Sequence, residues 1–248
     1  MIPKIIHYCW FGRAELPPLA KKCIASWRKF CPDYEIIEWN EDNFDINTNK
    51  YIKEAYESKK MAFITDYVRL NVLFEYGGIY MDTDVEVVAN LDPFLRHNAF
   101  SGFEDVCSIP TGIIGAQKGN LWLEYLLTYY KDRSFFLKNG NFDLTTNVDI
   151  ITDMTKKKYD ITLNNTMQYT NGDVLFYPKE YFCPKDFTTG IISTTEKTYA
   201  IHHFAGSWKP KDIKIKEKTT RIIRRNLGEK GLQIILNLNR IFFKKNKI

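Results

Sequence analysis

Residues 61–76, MAFITDYVRLNVLFEY, are apolar nearly all the way round a helix and stop at Gly77-Gly78. Phe63, Tyr67, Leu70 and Phe74 fall on one side, Ala62 and Leu73 on the opposite one. A helix with so little polar face has to be buried, and a Gly pair is a strong stop signal. The chain then enters a short apolar strand, Ile79-Tyr80-Met81, and runs into Asp82-Thr83-Asp84 before a second β-rich run, Val85 to Val88. A buried helix feeding a buried strand constrains the chain towards layered α/β architecture.

The rest of the chain follows the same alternation. Lys4 to Trp10, Glu35 to Trp39, Ala99 to Glu104, Gly112 to Ala116 and Tyr199 to Phe204 read as strands. Pro17 to Phe30, Tyr51 to Ser58, Leu121 to Tyr130 and Thr145 to Lys156 read as helices. Pro17-Pro18 starts the first helix and Cys31-Pro32 stops it. Strands interleaved with helices predict an α/β fold with a mostly parallel central sheet flanked by helices. Such sheets bind ligands beyond the carboxyl ends of their strands. Trp10, Asp82 and His203 each lie at a predicted strand end.

Strand alternation predicts Asp82 and Asp84 on one side, two residues apart. Adjacent carboxylates repel and call for a cation. Mg²⁺ and Mn²⁺ take carboxylate and phosphate oxygens, so Asp-x-Asp at a strand end reads as a metal–diphosphate clamp. An isolated Asp-x-Asp is more often a solvated turn. Here the preceding helix carries Asp66 and Arg69 three residues apart on one face, close in sequence to the acidic pair. A purely structural ion pair is the competing reading.

The run from Ala62 to Val85, with Asp66, Arg69, Leu73, Gly77-Gly78-Ile79-Tyr80, Asp82 and Asp84, resembles the sugar-binding region of DxD glycosyltransferases. It is closest to the capsular-polysaccharide type, a group that includes fungal mannosyltransferases and is similar to the glucosylating domains of clostridial toxins. Residues 5–12, IIHYCWFG, resemble that group's first strand, and residues 202–208, HHFAGSW, its closing motif. The resemblance implies a GT-A-like nucleotide-sugar-binding fold and transfer with retention. It implies metal binding by Asp84, Asp82 and His203, with Mn²⁺ or Mg²⁺ as cofactor. It implies Trp10 and Cys9 at the base, Tyr80 at the ribose, Asp66 and Arg69 on the donor sugar or phosphate, and Ser207 and Trp208 on the diphosphate. The catalytic set is then Asp82, Asp84, Asp66 and Arg69. His203 is preferred over His202 for its spacing to Trp208. The partners implied are a nucleoside-diphosphate sugar, as a UDP-sugar, and a saccharide or lipid-linked saccharide acceptor. Between residues 105 and 195 little matches beyond residues 111–116; Thr111, Asn147 and Asp149 are weak acceptor-side candidates.

Two other classes compete. A phosphohydrolase also ends a strand with paired aspartates, but needs Thr or Val two positions after the second, where Glu86 stands. A non-catalytic nucleotide-sugar-binding or scaffold protein of envelope assembly would not require intact Asp82, Asp84 and His203.

Composition sets the remaining bounds. Five cysteines without a CxxC argue against a disulfide framework or zinc site and fit a cytoplasmic protein. No apolar run reaches the ~18 residues that span a bilayer, and the start predicts no secretion signal. Charge is unevenly distributed. Residues 1–208 hold 22 Lys+Arg against 27 Asp+Glu, and residues 209–248 hold 13 against 3, a net of −5 and +10. The chain therefore reads as a catalytic domain over 1–208 and a basic helical tail over 209–248. In the tail Leu227, Gly231, Ile234, Ile235, Leu238, Ile241 and Phe242 recur at helical spacing. That pattern predicts either a peripheral contact with the anionic inner face of the cytoplasmic membrane or a helix docked on its own domain. Nothing in the sequence supports nucleic-acid binding.

Overall fold

The computed structural model describes residues 1–110, 112–207, 209 and 211–245, and leaves the side chains of 211 and 232–245 undescribed. Thr111 and Trp208 lie outside the described residues. Two compact units divide the chain: residues 1–184 with 194–203, and residues 185–193 with 204–248.

In the first unit the elements are β1 (Ile5–Cys9), α1 (Pro18–Phe30), β2 (Glu35–Trp39), α2 (Lys50–Glu57), α3 (Met61–Tyr76), β3 (Gly78–Met81), β4 (Val85–Val87), β5 (Ala99–Gly102), β6 (Ile113–Ala116), α4 (Leu121–Leu127), α5 (Asn147–Lys158), β7 (Gln168–Thr170), β8 (Val174–Tyr177) and β9 (Ala200–His202). Among the described residues, seven strands form one sheet in the order β2-β1-β3-β6-β5-β8-β7. β1 pairs parallel with β2 and β3, and β5 parallel with β8, while β6 and β7 run against their neighbours. Five strands thus share one direction, giving a mixed α/β fold around a mostly parallel sheet.

Alternation along the strands divides the core into two layers. Ile6, Tyr8, Ile79, Met81, Leu175 and Tyr177 face α1, joining Cys23, Ile24 and Trp27. Cys9, Tyr80, Val174 and Phe176 face the other way, towards Ile64, Val68 and Trp122 of α3 and α4. Helix starts follow from local chemistry. Pro18 opens α1, and the side chains of Asn49, Asn120 and Thr146 cap α2, α4 and α5 by accepting backbone N–H bonds.

The Gly77-Gly78 turn is required by space as well as by conformation. Gly77 has φ 68° and Gly78 φ 113°, both left of what side chains adopt easily. A Cβ on Gly78 would stand 2.7 Å from the Ile5 carbonyl oxygen. That close approach lets β3 lie beside β1 in the register Ile6↔Ile79.

Two expectations change here. The strand ends at Met81 as expected, but strand alternation does not carry on through Asp82 and Asp84: Val85 N–H donates to the Asp82 carbonyl at 2.9 Å to close a four-residue turn. The last strand ends at His202, not Phe204, and pairs antiparallel with β4 in a separate two-stranded sheet.

In the second unit, α6 (Lys211–Lys245) is broken at Gly228, where φ is 66° and ψ −177°. Its first half packs on residues 185–193: Arg221 Nε donates to the Phe187 carbonyl at 2.9 Å and its guanidinium lies 4.9 Å from the Phe187 ring centroid. Ile213, Ile215, Ile222 and Leu227 are exposed. The unit boundary falls at His203/Phe204 and takes 185–193 with the helix, where the sequence suggested a division at 208/209. Among the described residues no helix is long and apolar enough to cross a membrane.

Candidate metal and donor site

The turn after β3 bends Asp82 and Asp84 into the same space as a strand would have done, by a different route. Asp82 N–H donates to the Gly112 carbonyl at 2.9 Å, which anchors the turn to the strand β6. β4 then leaves the turn and pairs with β9 in the register Val85↔His202. That register sets His202 beside Asp84, with Nε2 3.4 Å from Asp84 Oδ1. One ligand atom from each of Asp82, Asp84 and His202 lies within 4.8 Å of the others.

His203, preferred from its spacing to Trp208, is not the histidine of this cluster. Neighbours on a strand face opposite ways, and His203 Nε2 lies 2.8 Å from Glu86 Oε2, which also accepts from Lys22. Its backbone N–H donates to the Asp84 carbonyl. The imidazole that joins the paired carboxylates is His202.

Asp66 and Arg69 come to the acidic turn as their position in α3 implied. Arg69 Nη2 is 3.1 Å from Asp66 Oδ1, and Nη1 is 3.2 Å from Asp82 Oδ1. Tyr80 O–H donates to Asp82 Oδ1 at 3.1 Å, and the guanidinium lies 4.8 Å from the Tyr80 ring centroid. Cys9, at the end of β1, is buried on the same face as Tyr80. Trp10 follows it, half-buried, with its indole N–H on the Ala14 carbonyl at 2.5 Å. Ser207 belongs to the second unit.

The electrostatics are those of charges held out of water. Burial pushes the Asp66 carboxyl up to about 7, with Arg69 pulling against it. Burial works against the Arg69 guanidinium, yet Asp82, Tyr80 and Asp66 together raise its pKa. Burial likewise opposes charge on His202, and Asp84 and Cys183 hold its pKa well above the ordinary imidazole value. Burial raises the Cys9 thiol, so it is a packed thiol and not a reactive one.

Three features here escaped the sequence reading. His202, weighed but passed over for His203, is the first. Glu104 is the second: it follows β5, lies 3.8 Å from His202 Nδ1 through Oε2, and is pushed up to about 7 by burial. A charged residue ending a buried strand was its available signal. Gly112 is the third. A Cβ there would meet Val85 Cγ2 at 2.8 Å, Asp82 Oδ2 at 3.2 Å and His202 Cδ2 at 3.3 Å, so only glycine leaves the cluster its space. Of the acceptor-side candidates, Asp149 accepts from Thr146 Oγ1 at 2.7 Å and completes the α5 cap. Asn147 is buried, and neither atom of its amide has a hydrogen-bond partner among the described residues.

The donor set fits a divalent ion. Two carboxylates and an imidazole suit a borderline-hard cation such as Mn²⁺. A DXD-containing family implies such an ion, and Asp82, Asp84 and His202 are the residues that would hold it.

Comparison with known proteins agrees with this chemistry. Over 149 residues the chain is 31% identical to inositol phosphoceramide mannosyltransferase 3 of Schizosaccharomyces pombe, covering 58% of this chain and 41% of that one. It is 27% identical over 230 residues to an uncharacterized glycosyltransferase of Acanthamoeba polyphaga mimivirus, covering 85% of each. The chain thus spans about two fifths of the length of the yeast relative. Among solved structures, the PaToxG glycosyltransferase superposes with a TM-score of 0.47 at 19% identity, over 63% of this chain and 70% of that one. The two sequence relatives are named as a mannosyltransferase and a glycosyltransferase. Residues 17–101, which hold Asp66, Arg69, Tyr80, Asp82 and Asp84, match the family described as the glycosyltransferase sugar-binding region containing a DXD motif.

Proposed function

We propose that this chain is a metal-dependent hexosyltransferase that moves a sugar, with retention, from a nucleoside-diphosphate sugar to a saccharide acceptor in cell-surface polysaccharide synthesis. The observation that carries the reading is the convergence of Asp82, Asp84 and His202 within 4.8 Å, with Arg69 3.2 Å from Asp82. When bound, Mn²⁺ or Mg²⁺ would neutralise charge on the departing diphosphate. Asp84, Asp82 and His202 would hold that ion. Arg69 and Asp66 orient the donor sugar and its phosphate from the α3 side, Arg69 already fixed in direction by two carboxylates. Cys9 and Tyr80 pack the floor, and Trp10 offers a partly exposed ring to the base, uridine in this reading.

A lipid-borne acceptor is the second reading of the same chemistry. The yeast relative is named as a mannosyltransferase of inositol phosphoceramide. The net +10 over residues 209–248 suits an anionic lipid surface, which would hold the protein at the inner face of the cytoplasmic membrane.

Calorimetry with UDP tests the central claim. Binding should be strong with Mn²⁺ and fall by at least tenfold after chelation; equal affinity in both would sink it. Hydrolysis of a UDP-hexose without acceptor separates an enzyme from a non-catalytic binding protein.

A further inference from the structure

The imidazole of His202 has an acidic group on each side. Nε2 faces Asp84 at 3.4 Å, and Nδ1 faces Glu104 Oε2 at 3.8 Å. Glu104 is held by its backbone as well as by its surroundings. Phe103 N–H donates to the Tyr177 carbonyl at 2.9 Å and Glu104 N–H to the Ser108 carbonyl at 3.0 Å, which tie the residue after β5 to β8 and to its own loop. The next carboxylate is engaged elsewhere: Asp105 accepts from Cys107 N–H at 2.7 Å. Glu104 is therefore the acidic side chain that this loop aims at the ring. It offers no ligand atom to the Asp82–Asp84–His202 group itself.

We infer that Glu104 is a positioning residue: it takes the Nδ1–H of His202, and so keeps Nε2 turned towards Asp82 and Asp84. Ligating histidines commonly donate their second ring N–H to a carboxylate, which sets tautomer and ring direction. At 3.8 Å the pair is an ion-pair contact, longer than a hydrogen bond, and such contacts often tighten only when the ligand is in place. The Cys183 thiol also touches His202. A neutral thiol is a weak acceptor, so the carboxylate is the stronger partner for the ring N–H. The inference rests on the metal-dependent reading above for its consequence, but the Glu104–His202 pairing can be read without any ion.

The experiment has two arms on the full chain. In the metal-free protein, the Nδ1–H proton resonance of His202 is followed by NMR in the wild type, Glu104→Gln, Glu104→Ala and Cys183→Ala. It should shift markedly or be lost to exchange in Glu104→Ala, less in Glu104→Gln, and stay near the wild-type position in Cys183→Ala. In the second arm, Mn²⁺ binding in the presence of UDP is measured by electron paramagnetic resonance. Both Glu104 variants should bind Mn²⁺ about 10–100-fold more weakly. In a His202→Ala background the same Glu104 changes should cost no more than about threefold, because the effect runs through the ring.

Wild-type Mn²⁺ affinity in Glu104→Ala, or an equal loss with and without His202, would overturn the inference. So would a His202 resonance that follows Cys183→Ala and ignores Glu104. If the wild type binds no Mn²⁺ while the resonance still follows Glu104, the pairing stands and the metal-dependent reading falls.

Discussion

Arg69 is the residue on which structural and functional roles can be separated. It bonds Asp66 and Asp82 from a site only 11% exposed. Deleting the charge would strand the buried Asp66 and unpair the half-buried Asp82, at a cost of about 3–5 kcal/mol, so Arg69→Gln confuses unfolding with lost chemistry. Arg69→Lys keeps the charge and loses the planar fork that can face two carboxylates and a phosphate at once. Arg69→Lys should melt within a few degrees of the wild type and transfer sugar roughly 100-fold more slowly, the usual scale for losing one oriented donor. Steady-state transfer and thermal melting on the same preparation check it; near-normal turnover would return the Asp66–Arg69 pair to a structural role. Trp10 poses a simpler question. Its ring is half-buried and its N–H is on Ala14, so it is free to stack through a face. Trp10→Ala should weaken UDP binding by roughly 1–3 kcal/mol. Unchanged affinity with early melting would make it a packing residue.

His7 couples the elements beneath the site. In β1 its Nδ1 accepts from Trp39 Nε1, a group that can only donate, and its Nε2 donates to the Gly77 carbonyl at 2.8 Å. The ring is therefore neutral in the folded chain and ties β1, β2 and the end of α3 together. Burial lowers its pKa below the ordinary value. A histidine with a lowered folded pKa contributes its full stability above about pH 6.5, the unfolded value, and loses it as pH falls towards the folded pKa. Urea unfolding at pH 7.5 and pH 5.0 should show the wild type losing more stability on acidification than His7→Gln; parallel losses would reject this. The same elements explain what could be read ahead of the structure. α3, the Gly77-Gly78 turn and β3 are local patterns of burial and conformation, so sequence spacing predicts them and the Asp66–Arg69–Asp82 meeting. The choice between His202 and His203 depends on the pairing of β4 with β9, more than a hundred residues apart, which no local spacing encodes. Glu104 was hidden for the same reason: it reaches the ring only because β5 and β9 end near one another. The strand end before Asp82 is legible, but strand alternation does not describe how Asp82 and Asp84 meet, because a turn between β3 and β4 brings them together.

At the scale of the whole chain the basic segment raises the last question. The first half of α6 is tied to residues 185–193 through Arg221 and Phe187, so removing the helix entirely would strip a packed partner. The break at Gly228 offers a gentler cut. Residues 228–248 carry Leu232, Ile234, Ile235, Leu238, Ile241 and Phe242 and five of the basic residues, and their side chains from 232 onward lie outside the described residues. A chain ending at Leu227 keeps the Arg221–Phe187 contacts and loses the apolar stripe. If the tail binds lipid, the full chain should float with vesicles containing anionic lipid at low salt, and not with neutral vesicles. The chain ending at Leu227 should float at least tenfold less well, since each lost Lys or Arg near an anionic surface is worth about 1 kcal/mol and the apolar contact goes with them. Screening should matter too: raising salt shortens the reach of these charges to under ~10 Å and should release most of the bound protein. Equal flotation of the two chains, or none by either, would leave the positive charge with no role at a membrane.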